Sequence, residues 1–95
     1  MKAGLGACHA VEIPFTWDTL TSDGDTALTG PNPPQELATR MHRAWVEFAT
    51  SGDPGWAPFD LASRPVQTYF DAERVEIVHD PRRDERVLWD GVVTP

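Results

Sequence analysis

Apolar residues recur every three or four positions in the middle of the chain, between more polar flanks. The apolar positions are Leu37, Met41, Trp45 and Phe48. Residues at this spacing share one side of a helix, while the charged residues between them occupy its other sides. The pattern therefore predicts a helix with one buried stripe.

The ends of this helix carry their own signals. Asn32 can cap it, with Pro33 at the first helical position and Gln35 three residues after the cap. Gly52 supplies a left-handed stop, and a proline follows two residues later. We expect one main amphipathic helix over residues 33–50.

The period of the pattern changes after the helix. Two β-rich stretches joined by the polar residues 71–74 predict a β-hairpin over about residues 66–78. The tail, RRDERVLWDG, predicts a short helix over about residues 84–89 that ends at Gly91. The local fold class is α+β.

The sequence pattern predicts the secondary structure of the first third of the chain less clearly. Val11, Ile13 and Phe15 alternate with other residues, which fits either a short strand or the start of a helix, and both remain open. Residues 19–34 are dense in Ser, Thr, Asp, Gly and Pro, which favour turns. We expect residues 19–34 to form a surface loop that contributes no core face.

Composition narrows the class of protein. Ninety-five residues with 40% hydrophobic content suit one small domain or part of a larger one. A net charge of −7 repels a phosphate backbone, so nucleic acid is a poor candidate partner. No apolar run is long enough for an export signal or a membrane span, so we expect a soluble chain without membrane contact, cytoplasmic by default. The single Cys8 excludes an internal disulfide framework.

Histidines are the first candidates for general bases at neutral pH. His9 lies in a small-residue loop three positions before Glu12, although a lone His near a Glu is more often structural than catalytic. We expect His42 and His79 to be surface groups. The His9 and Glu12 pair lacks a second His at helical spacing and there is no Cys pair, so no metal and no cofactor are expected.

No credible nucleophile accompanies His9. Ser22, Ser51 and Ser63 all lack the Gly-x-Ser-x-Gly context of a nucleophile elbow. Cys8 adjoins His9, but side chains of adjacent residues rarely meet as nucleophile and base. The chain alone has no complete catalytic set.

Two segments nevertheless resemble a known family. Residues 6–15, GACHAVEIPF, resemble the segment around the catalytic histidine of type-B carboxylesterases, which are relatives of the cholinesterases. Residues 41–54, MHRAWVEFATSGDP, are similar to a helix of the same family, and residues 56–59 continue the likeness. The resemblance covers nearly the whole chain and implies that residues 1–95 are a C-terminal fragment of an α/β-hydrolase.

The resemblance implies roles for particular residues. His9 would be the general acid/base of a Ser, acid and His triad, and Glu12 would give a supporting hydrogen bond. The serine elbow, the orienting acid, the oxyanion loop and most of the central sheet are absent, so we expect the isolated chain to be inactive. A carboxylic ester would be a substrate only if the missing part were supplied.

Two hypotheses follow for the chain as a whole. The preferred one is a carboxylic ester hydrolase portion, with Met1 just ahead of the motif indicating a truncated gene, a split frame or a mis-called start. We expect marginal stability and association through the exposed apolar stripe of residues 37, 41, 45 and 48. The rival is a non-catalytic acidic protein-binding module that uses the same stripe.

Overall fold

The computed structural model describes residues 6–22 and 26–92, with the backbone alone at residues 26 and 27. Its elements, in chain order, are α1 (Ile13–Thr16), α2 (Thr26–Thr29), α3 (Gln35–Ser51), β1 (Pro65–Tyr69), β2 (Val75–His79) and α4 (Arg83–Val87). The local α+β prediction matches this order, although α2 lies inside the region expected to be loop.

The long helix α3 begins two residues later than predicted. Its N-cap is Pro34, with extended backbone at φ −71° and ψ 108° and no side-chain hydrogen bond to the helix end. Asn32 is therefore not the cap, and that prediction was wrong. The reason is local, because a residue that precedes proline is excluded from the helical region, which bars Pro33 from starting the helix.

The other end of α3 follows the prediction. Gly52 has the left-handed conformation at φ 81°, and its N–H donates to the Phe48 carbonyl. Glycine adopts this conformation without the steric cost of a Cβ atom. Pro54 then prevents the helix from resuming, so the chain turns toward the hairpin.

The β-hairpin is confirmed. Strands β1 and β2 pair antiparallel, with Pro65 opposite His79 and Tyr69 opposite Val75. Asp71 holds the connection, because its carboxylate accepts hydrogen bonds from the N–H groups of Glu73 at 2.8 Å and Arg74 at 2.6 Å. These hydrogen bonds hold the pKa of the Asp71 carboxyl below its ordinary value. The bond from Arg74 has the larger effect and the bond from Glu73 the next largest.

Helix α4 is confirmed, but it ends before Gly91. Beyond Val87 the chain continues in tighter turns, as shown by the N–H of Trp89 donating to the carbonyl of Arg86. Arg86 Nε and Nη2 donate to the two oxygens of Asp80 at 2.8 and 2.9 Å. This two-pronged contact ties α4 to the end of β2 and is the best-formed ion pair in the described residues.

The first segment is helical rather than extended, and α1 packs against α3. His42 on α3 reaches across to the Thr16 carbonyl, with Nδ1 at 2.9 Å, and is half-buried. The expectation that His42 is a surface group was therefore wrong. Leu20 is also buried, so the region after α1 does contribute a core residue, contrary to the loop prediction.

The described core is small. The buried hydrophobic residues are Leu20, Ala38 and Ala44, joined by Pro14 beneath α1. The chain exposes 7289 Å² of surface, whereas a folded monomer of 10.5 kDa exposes roughly 5,400 Å². Its radius of gyration of 15.8 Å also exceeds the value of about 12 Å for a compact chain of this length. The molecule is open for its size.

Candidate functional site

His9 lies in a turn that leads into α1. The N–H of Val11 donates to the Cys8 carbonyl at 3.3 Å, and the N–H of Ile13 donates to the Ala10 carbonyl at 3.1 Å. The His9 side chain is exposed, and no described residue hydrogen-bonds to it. The turn therefore presents a solvated imidazole on the surface, free to meet a group from outside the described residues.

The backbone next to His9 is strained. Ala10 has φ +70°, in the left-handed region that a residue with a Cβ atom rarely adopts. Such a conformation persists only where the surrounding hydrogen bonds impose it, and strained residues are concentrated at functional sites. The left-handed backbone at Ala10 sets the direction in which the His9 turn enters α1, and this makes the turn a candidate functional site.

Glu12 occupies the N-cap position of α1 and is exposed. It lies at the edge of an open groove of about 470 Å³ between α1 and α3, which we call the α1–α3 groove. The groove is lined by Glu12, Ile13, Thr16, Trp17, His42, Trp45, Val46 and Ala49. Most of this lining is apolar, so Glu12 is a charged group at the rim of an apolar surface.

His9 and Glu12 share the turn but do not form a pair. No hydrogen bond or ion pair joins their side chains in the described structure. His9 is not part of the lining of the α1–α3 groove, whereas Glu12 is. A carboxylate that orients an imidazole must accept its N–H, so none of the carboxylates in residues 6–22 and 26–92 orients the His9 imidazole.

A second groove lies on the other side of Trp45. It measures about 260 Å³, and we call it the tryptophan groove; its lining is Ala44, Trp45, Phe48, Pro54, Trp56 and Tyr69. Trp45 lines both grooves, so the two adjoin at its side chain. The sequence pattern placed Trp45 and Phe48 on a stripe, but Trp56 and Tyr69 join it only through the fold.

Asp60, Ser63 and His79 also come together, which sequence reasoning missed. The Ser63 hydroxyl donates to Asp60 Oδ2 at 2.6 Å, and the Ser63 N–H donates to Asp60 Oδ1 at 2.6 Å. His79 Nδ1 instead contacts the Ser63 backbone carbonyl at 3.1 Å. A triad requires the histidine between the serine and the acid, so this cluster is a capped turn rather than a catalytic one.

The same turn lowers the pKa of the Asp60 carboxyl. The hydrogen bonds from Ser63 hold the pKa of Asp60 below its ordinary value. The bond from the Ser63 side chain has the larger effect, and the bond from its backbone the next largest. An ionised carboxylate that accepts two donors from one residue stabilises the bend before β1. Its role in the described structure is to shape the chain.

Within residues 6–22 and 26–92, no three His, Cys, Asp or Glu side chains converge in a way that could hold a metal ion. None of the helices described there has the length and apolar character required to cross a bilayer.

Comparison with known proteins links the chain to hydrolases. It is 30% identical over 92 residues to phenmedipham hydrolase of Pseudarthrobacter oxydans, a match that covers 87% of this chain and 18% of that protein. It is 39% identical over 62 residues to a protein named probable N-octanoylanthranilate hydrolase, from Rhodococcus erythropolis, covering 55% of this chain and 13% of that protein. No family model matches. The chain therefore spans less than a fifth of these curated relatives.

Proposed function

We propose that this chain is the histidine-bearing portion of a carboxylic ester hydrolase of the type-B carboxylesterase family. The observation that carries this proposal is the exposed imidazole of His9 on a strained turn, in a chain of which parts are similar to two proteins named as hydrolases. In this role His9 is the general acid/base, and Glu12 supports the turn from the start of α1.

The proposed chemistry is a pair of proton transfers at His9. The imidazole takes the proton from a serine hydroxyl as that oxygen attacks the ester carbonyl, and then returns it to the departing alcohol. For this the imidazole nitrogen must come within roughly 2.6–3.2 Å of the serine oxygen. An exposed side chain to which none of the described residues hydrogen-bonds is suited to such an approach.

The remaining parts of the reaction must come from outside this chain. The 95 residues contain no Gly-x-Ser-x-Gly elbow, and the described turn around His9 shows no acid hydrogen-bonded to the imidazole. Without a nucleophile, His9 has no proton to transfer. We therefore expect activity only when the chain is joined to a polypeptide that carries the serine, the acid and the oxyanion donors.

A chimera tests this proposal. The segment of phenmedipham hydrolase that this chain matches would be replaced by this chain, and hydrolysis of p-nitrophenyl acetate would be measured. His9→Ala should lower kcat/KM by about 10³-fold or more, because removing a triad member removes the base. His79→Ala is the matched control, since His79 is also exposed, and it should change the rate by less than about twofold.

Two results would contradict the proposal. A folded chimera whose rate is the same with and without His9→Ala would remove His9 from the reaction. Hydrolysis by the isolated 95-residue chain at the rate of the chimera would also contradict it, because that activity would not require the missing nucleophile. Circular dichroism of each variant would separate a catalytic loss from a loss of folding.

A protein-binding module is the second candidate function. It is supported by the exposure of large apolar residues along α1 and α3, which a partner protein could cover. Under this proposal His9 would not take part in catalysis, even when the chain is joined to a polypeptide that carries a serine nucleophile. A monomeric chain with a single cooperative unfolding transition would favour the module, because it would show that the chain is complete as a folding unit.

A further inference from the structure

Helix α1 depends on the rest of the chain for its position. It contains four residues, which make a single helical turn, and a helix this short is unstable unless other parts of the protein hold it. The His9 turn is joined to it through the N–H of Ile13, which donates to the Ala10 carbonyl at 3.1 Å. The position of the His9 turn therefore follows from the contacts that hold α1.

The C-terminal end of α1 is held by a side chain of α3. The last four carbonyls of a helix have no partner within the helix. The carbonyls of residues 13, 14 and 15 accept hydrogen bonds from the backbone N–H groups of residues 17, 19 and 18. None of the described backbone N–H groups donates to the fourth, the Thr16 carbonyl, which instead accepts from His42 Nδ1 at 2.9 Å. His42 thus completes the end of α1 from another helix.

The contact with Thr16 fixes which nitrogen of the His42 ring carries hydrogen. A carbonyl oxygen can only accept a hydrogen bond, so Nδ1 must be the donor. In the neutral ring Nε2 is then unprotonated. His42 is half-buried, so water competes for this hydrogen bond less than it would at an exposed site.

A second side chain of α3 reaches the same end of α1. Gln35 Nε2 donates to Asp18 Oδ1 at 2.8 Å. Asp18 has left-handed backbone at φ +54°, so this bond acts on a residue at which the chain turns away from α1. Gln35 and His42 are seven positions apart, or about two turns, and therefore lie on one side of α3.

Apolar packing alone leaves the orientation of α1 undetermined. Pro14 is fully buried, and burial of this kind stabilises α1 without fixing a direction. Hydrogen bonds are directional, because the donor must point at the acceptor. The contacts from Gln35 and His42 therefore fix the angle at which α1 lies on α3.

We propose that His42, assisted by Gln35, is a positioning residue for His9, because the two side chains hold α1 at the angle that places the His9 turn. This inference rests on the proposed function, in which the imidazole must come within roughly 2.6–3.2 Å of a serine oxygen. Because α1 is only about 6 Å long, a movement of its C-terminal end also moves the His9 turn. A displacement of about 1 Å at the reacting groups can lower a rate by about 100-fold.

Nitrogen NMR of the full 95-residue chain tests the contact itself. In its neutral form, His42 should carry its hydrogen on Nδ1. His42→Leu should shift the amide resonances of residues 9–13, whereas His79→Leu should leave them unchanged. His79 is the matched control, because its Nδ1 also contacts a backbone carbonyl, that of Ser63 at 3.1 Å, but on the hairpin.

Kinetics of the chimera with phenmedipham hydrolase test the positioning. His42→Leu should lower kcat at least about tenfold and leave KM within about twofold, because a misplaced imidazole affects the chemical step more than ester binding. His42→Asn should bring kcat back to within about threefold, since its amide nitrogen lies close to the position of Nδ1 and can donate. Gln35→Leu should lower kcat about threefold, because its contact is exposed to water. His79→Leu should leave kcat unchanged.

Three results would overturn this proposal. The first is a neutral His42 with its hydrogen on Nε2, and the second is an equal effect of His42→Leu and His79→Leu on the amide resonances and on kcat. The third is His42→Asn as slow as His42→Leu, because the shape of the ring rather than its hydrogen bond would then matter.

Two further measurements keep the proposal separate from folding and from the proposed function. If circular dichroism shows that His42→Leu does not fold, the exposed Gln35→Leu replaces it, and a kcat equal to that of the unsubstituted chimera would overturn the proposal. A chimera that is equally active with His9→Ala would contradict the proposed function instead. The NMR results on the chain would then still show whether His42 holds the His9 turn.

Discussion

Single side chains hold the second half of the molecule together at two points. The Asp80 carboxylate accepts two hydrogen bonds from the Arg86 guanidinium. The backbone N–H of Asp80 donates to the Arg64 carbonyl at 2.8 Å. Asp71 closes the hairpin turn, over which the Arg74 guanidinium stacks on the Phe70 ring at 4.0 Å. Because these contacts lie near the surface, we expect them to position elements more than to add stability.

The Asp80 contact makes the position of α4 depend on pH. The side-chain hydrogen bond from Arg86, reinforced by its charge, holds the pKa of Asp80 below its ordinary value of 3.8. A depressed folded-state pKa contributes stability that is present above the ordinary value and is lost as pH falls through the lowered one. We therefore expect α4 to stay attached to β2 down to pH values below 3.8.

Titration of the Asp80 carboxyl by carbon NMR checks this prediction. In the unsubstituted chain the midpoint should lie below 3.8, and Arg86→Gln should raise it toward that value. Arg82→Gln is the control, because Arg82 pairs with Glu85 rather than with Asp80 and should leave the midpoint unchanged. An unchanged midpoint in Arg86→Gln would show that another group sets the pKa.

At the scale of elements, the end of α3 depends on the backbone of Gly52. A Cβ atom added there would meet nothing within 4 Å, so any cost of substitution comes from φ +81° alone. Gly52→Ala should lower the free energy of unfolding of α3 by about 1 kcal/mol, because alanine is strained in this region. Gly52→Asn should lower it less, since asparagine tolerates the left-handed conformation.

Urea denaturation followed by circular dichroism at 222 nm measures both variants. The order of stability should be glycine, then asparagine, then alanine at position 52. Equal stability of the alanine and glycine forms would mean that the helix end relaxes to another conformation, and the C-cap assignment would then be wrong.

The elements that sequence predicted well are those fixed by nearby residues. The periodic stripe and Gly52 located α3 and its end, and the two β-rich stretches located the hairpin. The predicted start of α3 is wrong because Pro34 disfavours helical backbone at Pro33, and this effect outweighs the capping signal of Asn32. The start of α3 also depends only on adjacent residues, so it could have been predicted from the sequence.

Errors of a second kind came from contacts between distant parts of the chain. The contact of His42 with the Thr16 carbonyl depends on α1 folding against α3, across 26 residues. The burial of Leu20 is likewise seen only in the folded chain. A short, polar loop pattern gives no sign of such packing. For the candidate site, sequence singled out His9 and Glu12, but it could not indicate that their side chains do not meet.

At the scale of the whole molecule, two parts are each packed within themselves. Helix α1 packs on α3, and β1 packs on β2, with α4 held to the hairpin by Asp80. Between the two parts, Arg40 of α3 donates to the Ala72 carbonyl at 3.3 Å, and Tyr69 faces Ala44 across the tryptophan groove. This connection is exposed and carries little buried apolar surface.

Such weak coupling predicts that the two parts unfold separately. Cooperative unfolding requires buried contacts that are lost together, and few of these join α3 to the hairpin. Amide hydrogen exchange at increasing urea should therefore show residues 37–51 losing protection at a different urea concentration from residues 65–79. Coincident loss of protection in the isolated chain would contradict the prediction and would favour the binding module, because it would mark the 95 residues as one cooperative unit.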